Sequence, residues 1–139
     1  MDTDATAKST SSGGYLPVIA RVLMGLMFLI FGLNGFLSFI PQPKTPMPAE
    51  VMALMSLGYM MKINFAVQLL VGILLLVNRF VPLALALIAP ILVNIVALHV
   101  FLKVPGLPIA MVPVLLELYL VWAYRKAFLP MLAPRVTPG

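Results

Sequence analysis

The chain has 139 residues, enough for one domain; 63% are hydrophobic, 9% are charged and the net charge is +5. Soluble domains are roughly half apolar and about a quarter charged, so this composition excludes an ordinary water-soluble fold and indicates lipid as the surrounding solvent. The cations stand at the ends of apolar runs, which argues against a nucleic-acid partner, and the lack of cysteine excludes disulfide relays, iron–sulfur clusters and thiolate metal sites within the chain.

The N-terminal segment, 1–14, consists mostly of Asp, Thr, Ser, Gly and Ala and cannot bury enough apolar surface to fold alone. We expect a disordered cytoplasmic tail there, then a membrane domain at 15–128 and a short C-terminal tail at 129–139. The apolar run that follows the N-terminal segment has 25 residues, which is too long for a signal-peptide core. We therefore expect it to remain in the mature protein.

The first predicted span is 16–40, which reaches about 37 Å at the helical rise and so crosses a hydrocarbon core of ~30 Å. Gly25 and Gly32 are seven residues apart and share a face, where a second helix can approach closely. Arg21 lies one turn inside the span, and we expect its side chain to extend back to the interface. Four prolines between 41 and 48 end the helix.

A methionine-rich stretch at 49–61 precedes the second predicted span, 57–77. Pro48 and Glu50 suit the first turn of a helix, so we expect a short interfacial helical stretch here. Thioethers are soft ligands for Cu(I), but flexible packing at a membrane interface is the commoner use of methionine. We predict no metal site, and copper stays the less favoured interpretation of Met47, Met52, Met55, Met60 and Met61.

The third and fourth predicted spans are 80–102 and 107–124. The third contains Pro90, which a membrane helix tolerates because neighbouring groups satisfy the freed carbonyl. The fourth ends in aromatic residues followed by Arg125 and Lys126, the pattern of an interfacial belt and a cationic stop. The chain is therefore predicted to be an all-α, four-helix transmembrane bundle.

Five polar residues lie within the predicted spans and form the candidate site: Asn34, Gln68, Asn94, His99 and Glu117. Helical rise places Asn94 about 12 Å and Glu117 about 15 Å from the ends of their helices, on the same side of the membrane. Polar groups are costly in hydrocarbon, so we expect Asn94 and His99 to be turned inward. The matched depths predict one polar cluster in the outer half of the bundle.

Glu117 is the strongest functional candidate, because a carboxylate in a span costs about 3 kcal/mol on insertion scales. We expect Glu117 to be either protonated or held by a partner, and the candidate partners are His99 and the amides of Asn94 and Gln68. The competing interpretation is that these groups bond one another only to hold the helices together, each bond being worth about 0.6 kcal/mol. No catalytic residue can be assigned from the sequence.

The distribution of cations predicts the orientation. Four spans place both termini on one side, where six cations fall, and three fall on the other side. Lysine and arginine accumulate in cytoplasmic loops, so we expect both termini to be cytoplasmic.

Several interrupted motifs occur in order along the chain: 21–35 (RVLMGLMFLIFGLNG), 57–59 (LGY), 78–84 (NRFVPLA), 90–94 (PILVN) with His99, and 117–125 (ELYLVWAYR). Together they resemble the DoxX family of small bacterial integral membrane proteins, over about 16–132. The resemblance implies a four-helix bundle of the bacterial inner membrane. The family takes its name from a small subunit of an archaeal terminal quinol oxidase, and a relative belongs to a thiosulfate–quinone oxidoreductase. This chain departs from many relatives, which carry a lysine or histidine near Gly35 and an acid near Gln68.

The resemblance therefore implies a small redox-associated or quinone-handling membrane subunit, with quinone as the candidate cofactor. A single histidine cannot supply both axial ligands of a b-type haem, which argues against haem. The alternative function is a non-enzymatic carrier or exporter of a small lipophilic molecule, or an assembly partner of another membrane protein. Expected partners are the lipid bilayer, other membrane or redox proteins and a second copy of the chain.

Overall fold

The fold is known from a computed structural model that describes residues 14–42 and 44–139. The predicted disordered tail at 1–14 lies outside the described residues, apart from its last residue. Within the described part the chain is all-α and contains no strand, so the predicted fold class is confirmed. The elements are α1 (Leu16–Leu37), α2 (Ala49–Ser56), α3 (Gly58–Leu76), α4 (Val81–Phe101), α5 (Leu107–Ala123), α6 (Arg125–Phe128) and a 3₁₀ helix (Leu129–Leu132).

Local chemistry explains where the helices end. The chain leaves α1 because Ser38 adopts a left-handed conformation with φ 51°. The Asn34 side chain stabilises this end, since its Oδ1 accepts a hydrogen bond of 2.7 Å from the amide of Ile40. Leu57, with ψ 73°, separates the short helix α2 from α3. In α4, by contrast, the helix continues through Pro90.

The long helices make this chain a multi-pass membrane protein. Among the described residues, α1, α3 and α4 are each long and apolar enough to span a membrane. Helix α5 has 17 residues and reaches that length only together with the segment Arg125–Leu132, from which it is bent by 74°. The described residues thus provide three helices that can span a membrane, or four where the bent pair forms one span. Large apolar side chains on the outer faces of these helices contact lipid.

The four long helices form a ring in which α1 packs on α3, α3 on α4, α4 on α5 and α5 on α1. The most extensive of these contacts joins α1 to α3. A Cβ atom at Gly32 would stand 2.6 Å from the backbone nitrogen of Leu69, and one at Gly72 would stand 2.5 Å from that of Leu29. Glycine on both helices therefore lets the two backbones approach more closely than any larger residue would allow.

The ring encloses a narrow apolar core, to which α4 contributes more residues than any other helix. Two of the largest fully buried side chains, Met24 and Phe28, come from α1 and fill the centre of the core. The buried residues of the core are Ala20, Met24, Phe28, Val71, Leu75, Val81, Ala84, Leu85, Ile88, Leu92 and Leu120.

Arg21 is buried, which the sequence did not predict. Its side chain is 8% exposed and lies between α1 and α3, at the end of α3. The guanidinium Nη1 donates a hydrogen bond to the carbonyl oxygen of Leu75 and lies 3.5 Å from that of Leu76. These carbonyls belong to the last turn of α3. No helical amide four residues later donates a hydrogen bond to them, because the helix ends there. The cation is held inside the bundle because it finds acceptors there.

Candidate functional site

The end of the bundle that carries the proline-rich connector contains a cavity of about 480 Å³. All four long helices line it, together with the connector between α1 and α2 and the turn between α4 and α5. Its walls are apolar except for the side chains of Thr45, Gln68 and His99. We call it the connector cavity; its lining residues are Met27, Phe28, Phe31, Thr45, Met47, Gln68, Ile95, His99, Val104, Pro105, Gly106, Ile109, Ala110 and Pro113.

His99 presents a hydrogen-bond acceptor to this cavity. Its Nδ1 lies 2.7 Å from the carbonyl oxygen of Ile95, one turn earlier in α4. Because a carbonyl can only accept, Nδ1 carries the proton in the neutral ring and Nε2 keeps a free lone pair. Nε2 lies on the side of Gly106, another lining residue of the cavity.

Gln68 presents a donor to the same cavity. The side chain is 7% exposed, and its Nε2 donates a hydrogen bond of 2.5 Å to Oδ1 of Asn64, one turn earlier in α3. This bond orients the amide and uses one of its two N–H groups. The connector cavity thus combines an amide donor, an imidazole acceptor and apolar walls.

The single polar cluster predicted from the sequence does not form. The structure brings Gln68 and His99 to one cavity, whereas Glu117 lines a different one. Asn34 lines neither, because its side chain caps the end of α1. Asn94 is exposed on the outer face of α4, so the expectation that it is turned inward is wrong. Counting residues along the helices predicted a similar depth for these residues. Depth does not determine which side of a helix a residue faces.

Glu117 lies in a groove of about 410 Å³ between α4 and α5. It is 6% exposed, and neither carboxylate oxygen has a hydrogen-bond partner among the described residues. The partners expected for it, His99 and the amides of Asn94 and Gln68, do not line this groove. We call it the lateral groove; its lining residues are Ala89, Leu92, Val93, Val96, Val114, Glu117, Leu118 and Val121.

Three methionines of the predicted methionine-rich region lie near the proline-rich connector. Met47, Met52 and Met55 line a shallow depression at the connector end, and Met47 also lines the connector cavity. The described residues contain no group of three or more His, Cys, Asp or Glu side chains placed to hold a metal ion.

Sequence reasoning did not single out Asn64, and it did not predict the burial of Arg21. Asn64 orients Gln68, and the signal was present, because residues four apart on a helix are neighbours. Arg21 was noticed, but its burial depends on α3 standing close enough to offer carbonyls, which no spacing in α1 reveals.

Comparison with known protein families, with curated proteins and with solved structures gives no match for this chain. The geometry of the two cavities is therefore the basis for the functional argument.

Proposed function

We propose that this chain is a DoxX-like protein of the bacterial inner membrane that binds a quinone, or a similarly lipophilic ring compound, in its connector cavity. The observation that supports the proposal is a cavity lined by all four long helices whose apolar wall is interrupted mainly by Gln68 and His99. Its volume of about 480 Å³ falls within the roughly 300–1,000 Å³ usual for small-molecule sites.

The residues present suit a quinone ring. The second N–H of the Gln68 amide is a donor for a ring carbonyl, and Nε2 of His99 is an acceptor for the hydroxyl of the reduced form. The aromatic side chains of Phe28 and Phe31 line the same cavity and offer apolar surface to the ring. A bound quinone supplies two-electron redox chemistry, while this chain supplies binding and orientation.

The orientation proposed here takes the bent pair of α5 and the segment Arg125–Leu132 as the fourth span and follows the cation count. With six cations on the side of the termini and three on the other, both termini are cytoplasmic and the connector cavity opens on the periplasmic side. A small subunit in this position would hold a quinone for a redox partner in the membrane, and other membrane or redox proteins are its proposed partners.

Binding of short-chain ubiquinone and menaquinone analogues to the purified protein tests the proposal, with mass spectrometry of the lipid extract to identify the native ligand. Gln68→Leu and His99→Leu should each weaken binding about tenfold, because one hydrogen bond contributes about 1.4 kcal/mol. Asn94→Leu is the matched control, since Asn94 lies on an outer face away from the cavity. Unchanged binding in both cavity variants would contradict the proposal. A native ligand without redox activity would favour the alternative function, a carrier of a lipophilic molecule.

A further inference from the structure

The lateral groove defines a second site, at which a buried acid stands among apolar side chains. Apart from Glu117, its lining consists of alanine, valine and leucine. The Glu117 carboxylate is more than nine-tenths buried, and both of its oxygens lack a hydrogen-bond partner in the described residues. An ionisable group inside a membrane usually faces a partner or serves a function, so the missing partner requires an explanation.

No cation among the described residues pairs with Glu117. Arg21 is the one buried cation among the described residues, and its guanidinium is bonded to the carbonyls at the end of α3. Lys62 and Arg79 lie at exposed positions near the two ends of α3. The described residues therefore offer Glu117 no cation, and its carboxylate is open to a positively charged ligand.

The groove opens towards the lipid. Val93 on α4 and Leu118 on α5 line it, and they are 69% and 62% exposed on the outer surface of the bundle. A molecule dissolved in the bilayer can thus enter between α4 and α5 without passing through water. The volume of the lateral groove, about 410 Å³, falls within the range usual for small-molecule sites.

From this geometry we infer that the lateral groove binds a lipophilic cation, such as an amphipathic amine or a quaternary onium ion, with Glu117 as its counter-ion. The apolar walls contact the hydrocarbon part of the ligand, and the carboxylate pairs with its positive charge. The pairing is strong because water is largely excluded and the local dielectric constant is low. The site is separate from the connector cavity, with which it shares no lining residue.

Tetraphenylphosphonium and tetraphenylborate, which have nearly the same shape and opposite charge, test this inference on the unaltered protein. Binding is measured in phosphatidylcholine nanodiscs, whose net charge is zero, and binding to empty nanodiscs is subtracted, because the interfacial dipole potential makes the lipid itself take up the two ions unequally. After this subtraction we expect saturable binding of the cation and none of the anion. Equal binding of the two ions, or no saturable binding of the cation, would overturn the inference.

Substitutions then locate the site. Glu117→Gln keeps the shape of the side chain and should weaken cation binding at least tenfold, whereas Glu117→Asp keeps the charge and should retain most of it. Glu50→Gln is the matched control, since Glu50 is an exposed acid of α2 outside the groove. Quinone-analogue binding should be unchanged in Glu117→Gln, so failure of this inference is distinguishable from failure of the proposed function. Cation binding that survives Glu117→Gln would refute it, as would a dimer that Glu117→Gln dissociates in the absence of any cation binding.

Discussion

Arg21 of α1 donates a hydrogen bond to the carbonyl oxygen of Leu75 in the last turn of α3. The bond joins the beginning of one helix to the end of its antiparallel neighbour. It satisfies a terminal carbonyl and places a positive charge at the negative end of the α3 dipole. Arg21 is largely shielded from solvent, so water competes little with this hydrogen bond.

Replacing Arg21 by methionine should therefore destabilise the bundle. We expect a loss of about 2 kcal/mol, the range for a hydrogen bond that involves a charged group. Arg79→Met serves as the control, because Arg79 is exposed in the turn after α3. Unfolding of the purified protein in mixed micelles, followed by circular dichroism, gives both free energies. Equal stability of the two variants would show that the Arg21 contact contributes nothing.

The second prediction concerns the close approach of α1 and α3. Gly32→Ala should cost about 1–3 kcal/mol, because the new methyl group would stand 2.6 Å from the backbone of Leu69 and must push the two helices apart. Gly58→Ala is the matched control, since a Cβ there meets nothing within 4 Å. The same unfolding measurement checks the pair, and the prediction fails if both alanine variants are as stable as the native protein.

The two interior prolines should respond differently to substitution. Pro90 is exposed within α4, so Pro90→Ala should insert and accumulate normally and should leave quinone-analogue binding unchanged. Pro113 is buried and lines the connector cavity, so Pro113→Ala should weaken that binding. Membrane fractionation and ligand titration measure the two effects. Loss of the Pro90→Ala protein from the membrane would make Pro90 a determinant of folding.

The proposed orientation is tested with topology reporters. A reporter fused after Gly139 should behave as cytoplasmic, and one inserted within 42–46 should behave as periplasmic. The physical reason is the excess of lysine and arginine on the side of the termini. The reverse pattern would place the connector cavity on the cytoplasmic side and would contradict the proposed access to it.

Much of the architecture is encoded in features that are local along the chain. Apolar runs of about 20 residues, ended by proline clusters or short polar turns, were sufficient to predict helices in the right order and a short helix before α3. Depth in the membrane stays a prediction, obtained by counting residues along each helix. The first helix was predicted to end at residue 40, but α1 ends at Leu37. Its cap depends on the hydrogen bond that the amide of Ile40 donates to the Asn34 side chain.

The direction in which each side chain points was decided only by the tertiary structure. In water an apolar stripe marks the buried face of a helix, but in a membrane the protein interior and the lipid are both apolar, so a helix such as α4 carries no such mark. Asn94 could therefore be assigned a depth but not a face, and it lies outside. Gln68 and His99 share a cavity, while Glu117 lies apart from them, because packing of α1 on α3 and of α4 on α5 sets the rotation of each helix.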